Sequence, residues 1–190
     1  MSRATPQGRL IAVVGPSGVG KDSVMEGLAA TPGFALVRRV ITRPSEAGGE
    51  AFDGVTQEAF DRMAGQGAFA LHWQAHGLSY GIPAAETARL AEGTDLLVNL
   101  SRAVLVEAAR RFPGLIVLNL TAAPEVLAAR LAARGRESPQ DIARRLARAD
   151  LALPQGLDIR TVDNGGALPD TIRAARAVLD PQQEPLDAPR

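Results

Sequence analysis

The feature that most constrains this chain is a glycine-rich stretch at residues 15–21, which reads Gly-Pro-Ser-Gly-Val-Gly-Lys. The apolar run at residues 10–14 precedes it and is typical of a strand buried on both faces. Val24, Met25 and Leu28 then recur at helical spacing. A strand that passes through such glycines into a helix presents backbone N–H groups and the helix N-terminus to an anion. The order therefore predicts an α/β fold that contains a phosphate-binding loop.

The spacing of glycine and lysine in this stretch matches the Walker A pattern G-x-x-x-x-G-K. Lys21 is the only lysine in a chain with 20 arginines, and it falls in this loop. A compact ammonium fits among backbone N–H groups where a planar guanidinium does not. We predict Lys21 to be catalytic. We predict an ATP site formed by Gly15, Pro16, Ser17, Gly18, Val19, Gly20, Lys21, Asp22 and Ser23.

Residue 22 departs from the Walker A pattern, which has a serine or threonine here to bind Mg²⁺. The chain has Asp22 instead, followed by Ser23. A carboxylate is a hard oxygen ligand for Mg²⁺, so Asp22 can hold the metal directly or through water. The alternative is that Asp22 only stabilises the start of the helix through its dipole. We favour the metal role, with ATP and Mg²⁺ as the expected cofactors; Ser23 can instead bind an α-phosphate oxygen.

Length and charge limit the class of protein. The chain has 190 residues, 46% of them hydrophobic, which suits one domain with a substantial core. Its formal net charge is zero, so nothing predicts binding to nucleic acid or to a membrane. It has no cysteine, which excludes disulfides and thiol catalysis. We expect a cytoplasmic protein, since no apolar segment of membrane-spanning length is found, and leave a homodimer open.

Apolar strand candidates alternate with helical patterns, which predicts a parallel sheet with helices on both faces. After the first strand, further strands are predicted at residues 35–42, 96–100, 115–120 and 157–162. Helices are predicted at residues 104–112, 124–135, 142–150 and 169–179. We predict a single domain over residues 1–179. The remaining segment, 180–190, contains three prolines and is expected to be a disordered tail.

Residues 44–80 interrupt the α/β rhythm. They contain several glycines, both histidines, the only tryptophan and the only tyrosine. Such an insertion is either a structural excursion or a substrate-binding flap. We favour the flap, because the acceptor of a phosphoryl group must be enclosed away from water. His72 and His76 are expected to be structural, and Trp73 to pack under the flap.

Two groups of arginines stand out, because arginine can grip phosphate oxygens in pairs. The first group, Arg38, Arg39 and Arg43, lies at the predicted end of the second strand, where α/β sheets bind ligands. Arg39, Thr42 and Arg43 could together hold an acceptor phosphate; the alternative is a solvated basic edge. The second group lies on two predicted helices joined by a glycine-containing turn, at about residues 130–148. We predict a lid that folds over ATP; the alternative is an exposed helix pair with weak ion pairs.

These segments resemble the guanylate-kinase-like branch of the P-loop kinases over most of residues 9–175. The matching segments are residues 15–21, Thr42-Arg43-Pro44, Leu78-Ser79-Tyr80-Gly81-Ile82-Pro83 and residues 130–136. Within that branch the chain looks most similar to the ribose 1,5-bisphosphate phosphokinase family. The specific segments are residues 20–23, 39–43, 73–81, 98–102 and 134–137. That family shares the aspartate at position 22.

The resemblance implies a three-layer P-loop kinase fold with an acceptor-binding insertion and an arginine-rich lid. It implies transfer of the γ-phosphoryl group of ATP to ribose 1,5-bisphosphate, giving 5-phospho-α-D-ribose 1-diphosphate, in phosphonate breakdown and NAD precursor supply. The acceptor oxygen is already ionised, so the difficulty is to bring anions together. Arg39, Thr42 and Arg43 would bind the acceptor phosphate, Tyr80 and Arg102 the sugar bisphosphate. Arg130, Arg134 and Arg136 would be catalytic, and Asn164 would flank the adenine, unless Asn164-Gly165 is only a turn.

Two other functions compete with this interpretation. A guanylate or other nucleoside monophosphate kinase would need polar groups that read the base, for which Glu50, Asp53 and Glu58 are candidates that could equally be surface residues. Some guanylate-kinase-like domains are non-enzymatic binding modules. Those domains typically lose features of the phosphate loop, whereas this loop is complete.

Overall fold

The strands and helices follow the alternation predicted from the sequence. A computed structural model describes residues 7–44, 51–133, 140, 143, 146 and 152–180. Its strands are β1 (Leu10–Val14), β2 (Phe34–Leu36), β3 (Arg39–Ile41), β4 (Phe52–Gly54), β5 (Phe69–Ala75), β6 (Leu78–Pro83), β7 (Asp95–Asn99), β8 (Ile116–Thr121) and β9 (Asp158–Asp163). Its α-helices are α1 (Lys21–Ala29), α2 (Gln57–Gly65), α3 (Ala84–Thr87), α4 (Leu105–Arg111), α5 (Pro124–Ala133) and α6 (Leu168–Leu179).

Five strands form a parallel sheet in the order β2-β7-β1-β8-β9. The central strand β1 is buried along its whole length, which explains its uninterrupted apolar run. Ile11 and Val13 face a core that contains side chains of α1, α5 and α6. Leu10, Ala12 and Val14 face a second core, which contains side chains of α4. The predicted three-layer α/β architecture is therefore confirmed.

The carboxyl ends of these parallel strands meet at one edge of the sheet, which we call the carboxyl edge. In the register, Val13 pairs with Asn99 and Val14 with Asn119, while the last residue of β8, Thr121, pairs with Asp163. The glycine-rich loop after β1 and the chain after β7, β8 and β9 all begin at this edge. Segments far apart in sequence therefore meet there.

A second sheet has the order β4-β3-β6-β5, with β6 antiparallel to both of its neighbours. Its strands β4 and β5 lie within the insertion predicted at residues 44–80, and β6 begins there. The single strand predicted at residues 35–42 is wrong, because β2 joins the central sheet and β3 joins the second sheet. Arg38 and Arg39 interrupt the apolar run between these strands. Arg38 turns outward and its Nε donates to Asp53 of β4 at 2.6 Å.

Some predicted features fall outside the described residues. The lid is described at Arg130 and the rest of α5, whereas Arg134, Arg136 and most of residues 134–151 lie outside. The tail is described only at Asp180. Within the described ranges, no helix combines the length and apolarity needed to cross a membrane.

Candidate active site

The loop after β1 has a backbone path that depends on its glycines. Gly18 and Gly20 have φ angles of 84° and 92°, in the region that residues with a Cβ rarely adopt. A Cβ atom at Gly20 would also lie 2.8 Å from Nδ2 of Asn164. At Gly15 it would lie 2.5 Å from the backbone oxygen of Leu120. The loop is therefore closely backed by β8 and by the chain after β9.

Lys21 is the first residue of α1, and its side chain bends back over this loop. The ammonium nitrogen donates to the backbone oxygens of Gly15 and Pro16, at 3.0 and 3.2 Å. These contacts hold a positive charge beside the helix N-terminus, where the unpaired N–H groups and the helix dipole already favour an anion. The loop, the helix and the ammonium thus lie together as the sequence predicted, and phosphate binding by them stays a prediction.

The backbone oxygen of Val19, inside the loop, accepts two side-chain hydrogen bonds. Nδ2 of Asn164 donates to it at 2.6 Å, and Nη1 of Arg130 donates to it at 3.2 Å. The hydroxyl of Thr171, in α6, donates in turn to Oδ1 of Asn164 at 2.7 Å. Asn164 and Thr171 are each only 3% exposed. A buried pair of polar side chains therefore supports the loop from behind.

Arg39, in the second sheet, is buried and reaches across to the central sheet. It is 5% exposed, and its Nη1 donates to the backbone oxygen of Asn99, the last residue of β7, at 2.6 Å. Its guanidinium carbon lies 5.2 Å from the ring centre of Tyr80 and 5.8 Å from that of Trp73. Those two rings are cross-strand neighbours and stack 5.3 Å apart. Arg39 therefore links the two sheets at the carboxyl edge.

Thr42 and Arg43 follow β3 directly. The Thr42 hydroxyl accepts a hydrogen bond from the Ser79 backbone N–H at 2.8 Å, which fixes its position and leaves its own O–H able to donate. The guanidinium carbon of Arg43 lies 4.4 Å from the ring centre of Phe52, a contact that orients the planar cation. Both side chains are partly exposed, so they remain accessible to an anionic ligand.

A polar cleft of about 330 Å³ lies beside Thr42, at the turn between β5 and β6. The turn has His76 and Gly77 at positive φ angles of 53° and 75°, which is typical of a tight two-residue hairpin. Polar side chains and exposed backbone line most of the cleft. Its lining residues are Gln57, Gln74, Ala75, His76, Gly77, Leu78 and Ser79.

The residues beside the loop fit Mg²⁺ only if a phosphate ligand completes its coordination. Asp22 places one carboxylate in the first turn of α1. In the parts of the chain that the structure describes, no three His, Cys, Asp or Glu side chains form a metal-binding cluster. Mg²⁺ at phosphoryl-transfer sites is typically held by one or two carboxylates together with substrate phosphates and water. The donor set therefore fits a metal that arrives with a nucleotide.

Comparison with known proteins gives the family. The chain is 54% identical over 180 residues to ribose 1,5-bisphosphate phosphokinase PhnN of Ruegeria sp., a match that covers 93% of this chain and 94% of that protein. It is 48% identical over 174 residues to the protein of the same name from Agrobacterium fabrum, covering 90% and 95%. The chain belongs to the ribose 1,5-bisphosphate phosphokinase family. This phosphokinase is therefore a phosphotransferase, although no family model matches its sequence.

Solved structures confirm the fold of this phosphokinase. Guanylate kinase from Anaplasma phagocytophilum has a TM-score of 0.66 at 17% identity, with 97% of this chain and 91% of that chain covered. A gluconokinase from Sinorhizobium meliloti has a TM-score of 0.54 at 24% identity, with 93% of each chain covered. At these identities the likeness shows the architecture, and the choice of substrate has to be argued from the site.

The fold gathers most of the predicted phosphokinase site at the carboxyl edge. The loop residues, Arg130 and Asn164 contact one another there, and Arg102 lies there in the 3-10 turn Arg102–Val104 after β7. Two of the predicted residues are buried and make contacts within the protein. Arg39 donates to the Asn99 backbone oxygen and Asn164 donates to the Val19 oxygen of the loop, while their contacts with an acceptor phosphate and with adenine stay predictions.

Sequence reasoning missed Thr171. It shares the buried face of α6 with Ala175 and Leu179, at spacings of four and eight residues. A hydroxyl on an otherwise apolar helical stripe signals a buried hydrogen-bond partner, because such a group is seldom buried unpaired. That signal is present in the sequence, but its partner Asn164 is identified only by the packing of α6 against the loop.

Proposed function

We propose that this protein transfers the γ-phosphoryl group of ATP to ribose 1,5-bisphosphate, forming 5-phospho-α-D-ribose 1-diphosphate and ADP. The observation that carries the proposal is the complete phosphate loop with Lys21 at the carboxyl edge, in a member of this phosphokinase family. Thr42 and Arg43, which follow β3 of the second sheet, support it because a hydroxyl and a guanidinium together suit a second anion. The reaction would serve phosphonate breakdown and the supply of NAD precursors.

The proposed reaction exchanges one phosphorus–oxygen bond for another. An oxygen of the acceptor's 1-phosphate forms a bond to the γ-phosphorus, while the bond from that phosphorus to the β–γ bridging oxygen breaks. The bridging electron pair leaves with ADP. Since the attacking oxygen is ionised near neutral pH, no strong general base is required. The protein's main tasks are to hold the two anions in line and to neutralise charge.

The chain's own groups divide these tasks. The loop N–H groups and Lys21 would bind the β- and γ-phosphates, and Arg130 on α5 is close enough to the loop to add positive charge. Thr42 and Arg43 would bind an acceptor phosphate, with Tyr80 and Arg102 beside the sugar bisphosphate. Asp22 would hold Mg²⁺, which when bound would screen the charge on the phosphate oxygens. Arg134 and Arg136, beyond the described residues, would complete the lid.

The alternative function, a nucleoside monophosphate kinase that recognises a base, receives little support from the acidic candidates that the structure describes. Asp53 is engaged with Arg38 in an exposed ion pair. Glu58 lies in the first turn of α2, where its own backbone N–H and the Thr56 hydroxyl lower its pKa. Both carboxylates therefore have surface roles in this structure. Glu50 lies outside the described residues.

The decisive experiment compares acceptors in a coupled assay for ADP release. The purified protein is given Mg-ATP with ribose 1,5-bisphosphate or with GMP, and the sugar product is identified by ³¹P NMR from its new diphosphate signals. Turnover with ribose 1,5-bisphosphate is expected, and Lys21→Met serves as the control for contaminating kinases. Turnover confined to GMP would reject the acceptor. Failure to bind Mg-ATP at millimolar concentration would instead favour a non-enzymatic binding module.

A further inference from the structure

The Val19 carbonyl is the point where α6 and the chain after β9 act on the phosphate loop. Asn164 follows β9 directly, and its backbone N–H is fixed by the Thr121 backbone oxygen at 2.7 Å. Its amide group then reaches Val19 at 2.6 Å. The same amide nitrogen occupies the space that a Cβ of Gly20 would need, 2.8 Å away. Asn164 therefore packs closely against both the Val19 oxygen and Gly20.

The geometry of a peptide group converts this contact into an orientation. In a trans peptide the C=O and the following N–H point in opposite directions. Holding the Val19 oxygen toward Asn164 therefore directs the Gly20 N–H away from Asn164. That N–H lies next to Lys21 in sequence, at the N-terminus of α1, where phosphate oxygens are bound in a loop of this kind.

Thr171 secures the Asn164 amide in the orientation that the acceptor-only Val19 oxygen requires. Its hydroxyl donates to Oδ1 at 2.7 Å, so Nδ2 is the end left to face Val19. The reverse orientation would bring Oδ1 against the Val19 oxygen, and two acceptors cannot form a hydrogen bond. Because both side chains are 3% exposed, water cannot readily replace either contact.

We propose that Asn164 and Thr171 are positioning residues that aim the Gly20 N–H at the nucleotide's phosphates. The inference rests on the proposed use of ATP but not on the identity of the acceptor. It replaces the adenine contact predicted for Asn164 from the sequence. It also predicts that the pair acts on any polyphosphate that enters the loop, whether or not a nucleoside is attached.

The test measures binding, without turnover, by titration calorimetry with Mg-ATP and with magnesium tripolyphosphate. Thr171→Val removes the hydroxyl with little change in shape. This variant should lower the affinity for both ligands by a similar factor, about tenfold, because one hydrogen bond that orders the loop is lost. Thr171→Ser keeps the hydroxyl and should restore both affinities. Asn164→Asp removes the donor to the Val19 oxygen at nearly constant side-chain volume. It should lower the affinity for both ligands at least as much as Thr171→Val does.

A second Asn–Thr pair in the same sheet supplies a matched control. Nδ2 of Asn119 donates to the Thr161 hydroxyl at 3.3 Å, between β8 and β9 and at an exposed position. Thr161→Val should leave both affinities unchanged. Thermal unfolding of each variant checks that the fold is retained. If Thr171→Val does not fold, the affinities of Asn164→Asp and Thr171→Ser for the two ligands are compared instead.

The outcomes separate the alternatives. Equal weakening of Mg-ATP and tripolyphosphate, with rescue by serine, supports the positioning role. Weakening of Mg-ATP alone would mean that the pair recognises the nucleoside, and unchanged affinity for both ligands would mean a purely structural role; either result overturns the inference. A wild-type protein that binds both ligands but does not phosphorylate ribose 1,5-bisphosphate would reject the proposed acceptor while leaving this inference standing.

Discussion

At the scale of single residues, Lys21 holds the loop backbone and is also predicted to bind phosphate. One side chain can do both because it begins at the first residue of α1, beside the loop. Its ammonium holds the loop through the Gly15 and Pro16 oxygens, and the same charge lies where phosphate is expected to bind. An arginine at this position would bring a wider, planar group into a site built for a compact cation. The identity of this residue should therefore matter more than its charge alone.

Replacing Lys21 is the sharpest test of the loop. Lys21→Met should lower kcat by about a thousandfold or more, because a charge that stabilises the transferring phosphoryl group is lost. Lys21→Arg should recover little of that loss. Steady-state kinetics with saturating acceptor measures the effect, and circular dichroism checks the fold. Turnover close to that of the wild type in either variant would contradict the assigned role.

Arg43 tests the acceptor surface at the same scale. Arg43→Ala should lower kcat/KM for ribose 1,5-bisphosphate by about 10- to 100-fold, because it removes a charge-assisted contact, while KM for ATP stays nearly constant. A rise in KM alone would indicate uniform binding, and a fall in kcat would indicate positioning. Arg38→Ala is the control, since Arg38 lies nearby in an exposed pair with Asp53. Equal losses in both variants would argue for a general effect of basic charge.

At the scale of secondary-structure elements, α6 is held at both of its ends. Near its start, Thr171 contacts Asn164 behind the loop. At its end, Nη1 of Arg160 donates to the backbone oxygens of Val178 and Leu179, and Nη1 of Arg9 donates to Leu179 at 2.8 Å. Cations at a helix C-terminus satisfy its last carbonyls and interact favourably with the dipole. The C-terminal end of α6, which these arginines anchor, thus lies away from the phosphate loop, which the N-terminal end of α6 supports.

The ion pair at this anchor predicts a pH dependence of stability. Hydrogen bonding to Arg160 lowers the pKa of Asp158 below its ordinary value. The folded state therefore gains stability above the unfolded pKa of about 4, and the gain is lost as the pH falls through the lower folded pKa. Asp158→Asn should reduce the free energy of unfolding by less than about 1 kcal/mol at pH 7, since the pair is exposed.

The corresponding measurement is urea unfolding of wild type and Asp158→Asn at pH 7, 5 and 3. The difference in stability between the two proteins should shrink as the pH falls, because protonation of the wild-type carboxylate progressively removes the ion pair. Activity at pH 7 should be retained, because Asp158 is at the start of β9 and the loop lies at the opposite edge. A difference that stays constant across the three pH values would show that packing, not ionisation, is responsible.

At the scale of the whole molecule, Arg39 joins the sheet that carries the phosphate loop to the sheet that carries the proposed acceptor surface. Its contacts with Asn99 on one side and with Tyr80 and Trp73 on the other cross the boundary between the two sheets. Arg111 of α4 makes another crossing, since its Nη1 donates to the Ala70 backbone oxygen at 3.0 Å. The distance between the two substrates therefore depends on contacts that neither substrate is proposed to make.

Loss of the Arg39 contacts should loosen the second sheet selectively. Arg39→Met keeps an apolar stem but removes the donor and the cation, and should cost about 2 kcal/mol of stability. In hydrogen exchange, the amides of β3 and β6 should exchange faster, while those of β1 and β8 change little. Arg111→Met, which removes a more exposed crossing, should have a smaller effect. Uniform acceleration throughout the chain would refute a local docking role.

Local patterns predicted much of this molecule. The continuous apolar run of β1, the glycines and lysine of the loop, and the helical spacing after it each depend on neighbouring residues, so they could be identified from the sequence. The strand predicted at residues 35–42 failed for the opposite reason. Its two halves have similar local character, but β2 pairs with β7 and β3 pairs with β6, and the choice of partner involves residues about 40 to 60 positions away.

By itself, the sequence determined the α/β class, the phosphate loop and the family, because these depend on residue type and short-range spacing. Only the tertiary structure decided that Arg39 is buried between two sheets and that Asn164 and Thr171 stand behind the Val19 carbonyl. The physical reason is that a polar side chain can serve a ligand, the solvent or a buried backbone group with the same atoms. Burial and the partner within hydrogen-bonding distance determine which of these it serves, and both are properties of the packed chain.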